Sequence, residues 1–323
     1  MDNNYSLTLS GSPHQKQTGS TSGIMLVMLA ALVPSLVWAC VRLGLRSLLV
    51  CGVCVLSCVI FEFLYQIILK RQTTVHDLSA VVTGMLIAFN MPVAVPLYIP
   101  IVGCFFAIVV VKQAFGGIGR NIVNPALAAT VLVSFIWKKQ MVPTFVGSKW
   151  LVNLENIESP TPLYYLINGE IPSESFFDLF FGNATGAIGA ISVAMLLVGG
   201  LYLLWSKVIT WHIPMTYIGV SAVLFYLMAE NGLEIAFTVS SLCSGSLVLC
   251  AIYMATDYTT TPMSARGRLI FGAGCGILTV ILRTYAHLTC DAAMAVLIMN
   301  LLSRPIDALF KPKFFGQPSS KNK

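Results

Sequence analysis

Two short apolar stretches decide the fold of this chain, SAVVTGMLIAFNMP at residues 79–92 and SLVLCAIYMATDYTTTP at residues 246–262. Each stretch ends at polar residues that a proline follows, as in Asn90-Met91-Pro92 of the first. The two stretches begin 167 residues apart, and at the same offset Asn90 aligns with Asp257. Short, proline-interrupted apolar segments at matching places in two halves of a chain indicate a site at the interface of two membrane repeats.

A second pair of polar residues repeats at the same spacing. Asn124 follows Asn90 by 34 residues, and Asp291 follows Asp257 by 34. A broken helix frees backbone N–H and C=O groups, which at membrane depth must face protein, water or a ligand. We therefore expect Asn90, Asn124, Asp257 and Asp291 to shape a pseudo-symmetric centre. The alternative is that they only end helices that pack against their neighbours, and the sequence alone leaves both interpretations open.

The composition excludes a soluble globular protein. Of the 323 residues, 57% are hydrophobic and 10% are charged, whereas about a quarter of the residues of soluble domains are charged. The mean hydropathy is +0.83. The net charge of +6 is spread thinly, without the basic run interleaved with aromatic residues that a nucleic-acid surface needs. The sequence therefore predicts a protein of the lipid bilayer that does not bind nucleic acid.

The apolar residues fall into ten runs, enough for about ten membrane-spanning helices. The runs lie near residues 24–42, 48–69, 78–90, 97–115, 122–137, 187–205, 208–228, 235–256, 268–285 and 288–309. We predict an all-α polytopic membrane protein of two five-helix repeats with broken helices, inverted relative to each other because each repeat crosses an odd number of times. The predicted units are a tail at 1–22, a first repeat at 23–137, a loop at 138–186, a second repeat at 187–310 and a tail at 311–323.

Positive charges predict the orientation, because Lys and Arg are enriched in the cytoplasmic loops of membrane proteins. With a cytoplasmic N-terminus, 13 of the 19 Lys and Arg residues fall on the inner side. The six on the outer side are Arg42, Arg46, Lys138, Lys139, Lys149 and Arg283. We therefore expect both termini in the cytoplasm and the loop at 138–186 outside.

Several chemically reactive residues have an ordinary structural interpretation. Glu62 is a candidate for an ion pathway, but we favour a carboxyl near the inner end of its helix that is hydrogen-bonded to Gln66. Asp77 is expected to cap the third span. The three cysteines within 51–58 are expected to pack rather than bind a metal, because no second CxxC or histidine cluster accompanies them. The glycines of 116–121 lack the strand and third glycine of a dinucleotide-binding loop and predict a tight turn.

Four motifs follow one another along the chain. They are DLSAVVTG at 77–84, KQAFGGIGRNIVNPA at 112–126, MATD at 254–257 and GCGILTV at 274–280. In this order they resemble the D subunits of the bacterial Rnf complex, an ion-pumping ferredoxin:NAD oxidoreductase. A more distant resemblance is to the B subunit of the sodium-pumping NADH:quinone oxidoreductase. The resemblance covers nearly the whole chain.

This resemblance implies a covalent flavin on the outer loop. In the family, FMN is joined through its phosphate to a threonine in a Ser-Gly-Ala-Thr-Pro-Leu segment. Thr161 matches that threonine, and Pro162 and Leu163 match the residues that follow it. The residues at 158–160 depart from the family, since they are Glu, Ser and Pro where Ser, Gly and Ala are usual.

The resemblance also implies a further cofactor, partners and a location. Related complexes hold a non-covalent riboflavin in the corresponding chain. Ala190 and Ile191 stand where relatives usually carry Glu and Thr, so a polar partner near the flavin or the ion path is expected to be absent here. The implied partners are other Rnf subunits and a transferase that attaches the flavin. The implied location is the bacterial cytoplasmic membrane.

We therefore predict a flavin-carrying electron-transfer subunit of a translocase, which couples ferredoxin:NAD electron transfer to transport of Na⁺ or H⁺. No complete active site is expected in this chain alone. A solute channel or transporter is the rival, since an inverted repeat with broken helices supports it equally well. A third possibility is a scaffold subunit without a flavin. A bound flavin would favour the first over both others.

Overall fold

A computed structural model describes residues 21–71, 73–141, 161–229 and 234–310. All regular structure in these ranges is helical. The helices are α1 (Thr21–Leu43), α2 (Leu45–Ile68), α3 (Ser79–Phe89), α4 (Tyr98–Phe105), α5 (Pro125–Ile136), α6 (Pro162–Ile167), α7 (Phe176–Phe181), α8 (Val193–Trp205), α9 (His212–Met228), α10 (Glu234–Cys243), α11 (Leu247–Leu249), α12 (Ala265–Thr284) and α13 (Asp291–Leu309). A 3₁₀ turn (Val75–Asp77) precedes α3, and π-helical turns extend α4 over Phe106–Gln113 and α11 over Cys250–Met254.

Each of the ten predicted apolar runs contains a helix or a pair of helices. Within the described ranges, α1, α2, α12 and α13 are long and apolar enough to cross a membrane, and α10 with α11 forms a bent fifth candidate. The other runs hold apolar helices of 10–17 residues, namely α3, α4 with its π-helical extension, α5, α8 and α9. The fold is therefore that of an all-helical polytopic membrane protein.

The apolar run at 235–256 forms two helices that are separated by a break. The chain bends by 62° between α10 and α11. Gly245 lies in this break with φ +71°, in the left-handed region where an α-helix cannot continue. In the first half, Leu78 has φ +62° directly before α3 and lies 167 positions before Gly245. A leucine in this conformation is strained, so the surrounding packing must hold it there.

The same offset relates the starts of other helices. Helix α2 begins at Leu45 and α9 at His212, 167 positions later. Helix α4 begins at Tyr98 and α12 at Ala265, again 167 positions later. The starts of these two pairs of helices therefore share the offset of the polar residues.

Small residues allow the helices to approach closely. A Cβ at Gly84 of α3 would lie 2.7 Å from the Cα atom of Val55 in α2. A Cβ at Gly199 of α8 would collide with the carbonyl oxygen of Ala31 in α1 and the hydroxyl of Tyr253. Close backbone approach at glycine is how membrane helices gain packing contacts that lipid cannot replace.

Candidate functional site

Two of the four predicted central residues meet at one methionine. Asn90 ends α3, and its Nδ2 donates to the carbonyl oxygen of Leu86 at 2.9 Å and contacts Met254 Sδ at 3.4 Å. Asn124 caps α5, where its Oδ1 accepts from the backbone N–H of Ala126 at 3.0 Å. Its Nδ2 donates to the carbonyl oxygen of Met254 at 3.4 Å. The two asparagines thus hold the end of the π-helical turn after α11.

The two aspartates lie apart from that contact. Asp257 Oδ2 accepts from the hydroxyl of Thr259 at 3.1 Å, in the turn after Met254. Asp291 is fully buried at the start of α13, where it forms an ion pair with Arg283. The hydrogen bonds and ion pairs of the described residues do not join all four predicted residues into one cluster. Their repeated spacing in the sequence is therefore not accompanied by one contact that all four residues share.

Several of the predicted residues line two separate cavities. The Thr161 cavity is an open pocket of about 710 Å³, a volume that includes space open to solvent, and is lined in part by Asn90, Thr130, Thr161, Thr185, Ser244 and Ser246. The Asp257 cavity is also open, with about 760 Å³ counted in the same way, and is lined in part by Ser79, Lys112, Asn121, Asn124, Tyr253 and Asp257. The offset of 167 relates Asn90 in the first to Asp257 in the second, and Ser246 in the first to Ser79 in the second.

The two cavities lie toward opposite ends of helix α5. Asn124 and Pro125, at its start, line the Asp257 cavity. Thr130 and Ser134, further along the helix, line the Thr161 cavity. Met254 and its asparagine contacts lie between, because Asn90 lines one cavity and Asn124 the other.

Thr161 is buried at the N-cap of α6. Its Oγ1 accepts from the backbone N–H of Tyr164 at 3.3 Å, and its side chain lines the cavity. Two more hydroxyls of this cavity, Thr185 Oγ1 and Ser244 Oγ, are buried without a hydrogen-bond partner among the described residues. Buried hydroxyls without partners are costly unless a ligand or water satisfies them. The lining thus suits a polar ligand.

The apolar side of the Thr161 cavity includes Ala190 and Ile191, the two positions where the sequence departs from the family. The other departures, at residues 158–160, lie outside the described residues, as do Lys149 and the predicted tails up to residue 20 and from residue 311.

Leu179 of helix α7 lines the Thr161 cavity. The same helix carries a carboxyl group whose pKa is shifted. Hydrogen bonds from the side chains of Asn183 and Ser175 lower the pKa of the half-buried Asp178 carboxyl. Asp178 is therefore ionised at neutral pH and keeps both bonds until the pH falls through its lowered pKa.

Arg283 holds the break between α10 and α11. Its guanidinium is buried and donates to the carbonyl oxygens of Ser241 and Ser244, as well as pairing with Asp291. It also lies over the ring of Phe225, 5.2 Å from the ring centre. The sequence analysis treated Arg283 only as a charge on the outer side. Its place within the apolar run at 268–285 was the signal that it needs buried partners.

Glu62 has a stronger partner than the predicted one. Gln66 Nε2 lies 3.4 Å from its Oε1, but Lys112 Nζ lies 2.8 Å from its Oε2 and Gln113 Nε2 lies 2.8 Å from its Oε1. Lys112 is 1% exposed. The sequence analysis counted Lys112 as a charge of the inner side, although it falls within the apolar run at 97–115.

Two predictions near the Asp257 cavity, a glycine turn and a helix cap, have different outcomes. The glycine turn is confirmed, since Gly116, Gly117 and Gly119 all have positive φ. The N-cap of α3 is Leu78 rather than Asp77. Asp77 lies one residue earlier and accepts from the backbone N–H of the first helical residue at 2.9 Å.

Comparison with known proteins shows similarity along nearly the whole chain. The model of the NQR2, RnfD, RnfE family matches residues 8–316. The chain is 38% identical to the D subunit of the Na⁺-translocating ferredoxin:NAD⁺ oxidoreductase complex of Acetobacterium woodii, over 97% of this chain and 96% of the relative. It is 31% identical to the D subunit of the proton-translocating complex of Clostridium ljungdahlii, over 96% of each chain. It is 32% identical to the D subunit of the ion-translocating oxidoreductase complex of Shewanella amazonensis, over 97% of this chain and 99% of the relative.

Proposed function

The chain belongs to the NQR2, RnfD, RnfE family, and from this premise we propose that it is a flavin-carrying subunit of an ion-translocating ferredoxin:NAD oxidoreductase. Relatives with almost full-length similarity are named as D subunits of such complexes, which supports the same place for this chain beside other subunits. Electrons from reduced ferredoxin would pass through these subunits toward NAD. The redox steps would drive Na⁺ or H⁺ across the bacterial cytoplasmic membrane.

The cavity beside Thr161 is the observation that carries the flavin proposal. Thr161 presents its hydroxyl to a cavity of about 710 Å³ in which Thr185 and Ser244 have unpartnered hydroxyls. We propose that Thr161 Oγ1 forms the phosphoester to FMN, which a partner transferase attaches. A flavin there supplies electron transfer in steps of one or two electrons. The residues of this chain would anchor and orient it, and the apolar side chains of Ala190 and Ile191 would exclude water beside it.

The proposal includes a second flavin in the Asp257 cavity. This cavity has about 760 Å³, and Asn121 Oδ1 is buried beside it without a hydrogen-bond partner among the described residues. We propose that it takes the non-covalent riboflavin, with Asn121 and Asp257 as polar contacts. Two redox cofactors toward opposite ends of α5 would then give electrons a route across the membrane.

The inverted repeat is part of the same proposal. Helix starts at Leu45 and His212, and at Tyr98 and Ala265, share one offset, as do the left-handed residues Leu78 and Gly245. An odd number of spans in each half would invert the second half. With both termini cytoplasmic, the Thr161 cavity would open outside and the Asp257 cavity inside.

The test is flavin fluorescence of the denatured chain in a gel, after expression with the flavin-attaching transferase. Wild type and Thr185→Ala are expected to fluoresce, because both keep the Thr161 hydroxyl. Thr161→Ala is expected to be dark. Non-covalent flavin released on denaturation of the purified complex reports on the Asp257 cavity. A dark wild type together with solute uptake by flavin-free vesicles would instead support the transporter, and a dark wild type without uptake would support a scaffold.

A further inference from the structure

A chain of hydrogen bonds runs from the turn before α3 into the Asp257 cavity. Ser79 Oγ donates to Asp77 Oδ1 at 2.6 Å. Lys112 Nζ donates to the same Ser79 Oγ at 2.6 Å. Ser79 and Lys112 both line the cavity, whereas Asp77 is only half-buried in the 3₁₀ turn beside the exposed His76. A carboxylate near the protein surface is thus joined through one hydroxyl to an amine at the cavity.

Lys112 forms a buried ion pair with a carboxylate of a neighbouring helix. Glu62 pairs with it at 2.8 Å, and the Glu62 carboxylate also accepts from Gln113 Nε2 at 2.8 Å. Burying an ion pair between membrane helices is costly, and replacing it with apolar residues is often neutral or stabilising. Such a pair at a cavity therefore indicates a functional role in addition to packing.

We propose that Asp77, Ser79 and Lys112 form a proton relay that supplies the ligand of the Asp257 cavity. The proposal rests on the proposed function, which places a flavin there and electrons from a reduced donor. A flavin bound there would acquire negative charge when it is reduced, and Lys112 Nζ would give up one proton to the bound group. Asp77 would take one proton from water and pass it to the Ser79 oxygen, which would release its own proton to Lys112 Nζ, so that all three side chains return to their starting protonation states.

Charged and titratable groups face Lys112 from several elements. Glu62 faces the ammonium from α2, Asp77 is joined to it through Ser79, and Asp257 shares the cavity. Arg71 contacts the backbone next to it, since its Nη1 lies 3.3 Å from the carbonyl oxygen of Gln113. Of these carboxyl groups, the half-buried Asp77 is the one that Ser79 links to Lys112.

The experiment is rapid reduction of the purified complex by dithionite, with flavin absorbance and a pH-indicator dye followed together in H₂O and D₂O. Ser79→Ala is expected to slow the proton-uptake phase by about tenfold or more, in the range of single proton-transfer groups. Asp77→Asn keeps both accepted hydrogen bonds but cannot carry a proton, so the same slowing is expected. Ser79→Thr retains the hydroxyl and should restore the phase. Ser47→Ala, which removes another buried hydroxyl near the far end of α2, is the matched control.

Each outcome decides the proposal. Wild-type uptake rates and isotope effects in both Ser79→Ala and Asp77→Asn, with flavin retained, would overturn the relay and leave the proposed function intact. Equal slowing in Ser47→Ala would show a general packing effect and would also overturn it. If the wild-type complex holds no non-covalent flavin, the proposed use of the Asp257 cavity fails, and the relay fails with it. If only Ser79→Ala loses its flavin, the rates of proton uptake in Asp77→Asn and Ser79→Thr test the relay instead.

Discussion

Among single residues, the buried Arg283 supplies hydrogen-bond donors to carbonyl groups that have no partner within a helix. The break between α10 and α11 leaves carbonyl groups without helical partners, and Arg283 donates to those of Ser241 and Ser244 while pairing with Asp291. A guanidinium suits this role because it carries five donors in a fixed plane. Its removal would leave one buried carboxylate and two carbonyl oxygens unsatisfied.

Arg283→Met is therefore expected to lower the free energy of unfolding by about 3–5 kcal/mol, as for other broken buried ion pairs. Adding Asp291→Asn should recover part of this loss, because the uncompensated charge is gone. Arg304→Ala, at an exposed position of α13, should change stability by less than about 0.5 kcal/mol. Unfolding in detergent, followed by the reaction of buried cysteines, measures all three. If Arg283→Met unfolds in the same transition as the wild type, the contacts of Arg283 do not contribute to stability.

At the scale of helices, close packing links the two halves. Helices α1 and α8 meet where Gly199 lies against the carbonyl oxygen of Ala31, and the Tyr253 hydroxyl donates to that same oxygen at 3.2 Å. Tyr253 also lines the Asp257 cavity. The position of the π-helical turn after α11 thus depends on the fit between α1 and α8.

Gly199→Ala is expected to destabilise the protein by about 1–3 kcal/mol, because the added methyl group must displace helix backbone. Gly219→Ala is the matched control, since a Cβ there has nothing within 4 Å. That change should be neutral or stabilise by up to about 1 kcal/mol through helix propensity. Thermal unfolding in detergent compares the two variants. Equal transition temperatures would contradict the close approach of α1 and α8.

Sequence patterns predicted the helices better than their contacts. The ten apolar runs were visible because each is many residues long. The bend at Gly245 was missed because one glycine within an apolar run is ordinary in a membrane helix. The partnership of Glu62 with Lys112 joins residues 50 positions apart and has no local signature, whereas Gln66 was suggested by its spacing of one helical turn. The separation of Asn90 and Asp257 into two cavities likewise depends on how the halves pack.

At the scale of the whole molecule, the account requires that the two cavities open to different sides of the membrane. Thr73 is exposed just before the 3₁₀ turn that leads into α3, a helix that lines the Asp257 cavity. Glu170 is exposed after α6, whose first residues line the Thr161 cavity. Glu170→Cys should react with a membrane-impermeant maleimide in intact spheroplasts. Thr73→Cys should react only after the membrane is opened. The wild-type chain, with its nine native cysteines, gives the background. Reaction of both variants from outside would contradict the inverted arrangement.

Mass spectrometry of the peptide that carries Thr161, taken from the complex purified from its native membrane, tests the covalent attachment of FMN. This peptide is expected to gain the mass of FMN less one water, with fragmentation assigning the addition to Thr161. The peptide carrying Thr185 is expected to be unmodified. An unmodified Thr161 peptide, from cells that contain the flavin-attaching transferase, would contradict the assignment of this chain as a covalent flavoprotein.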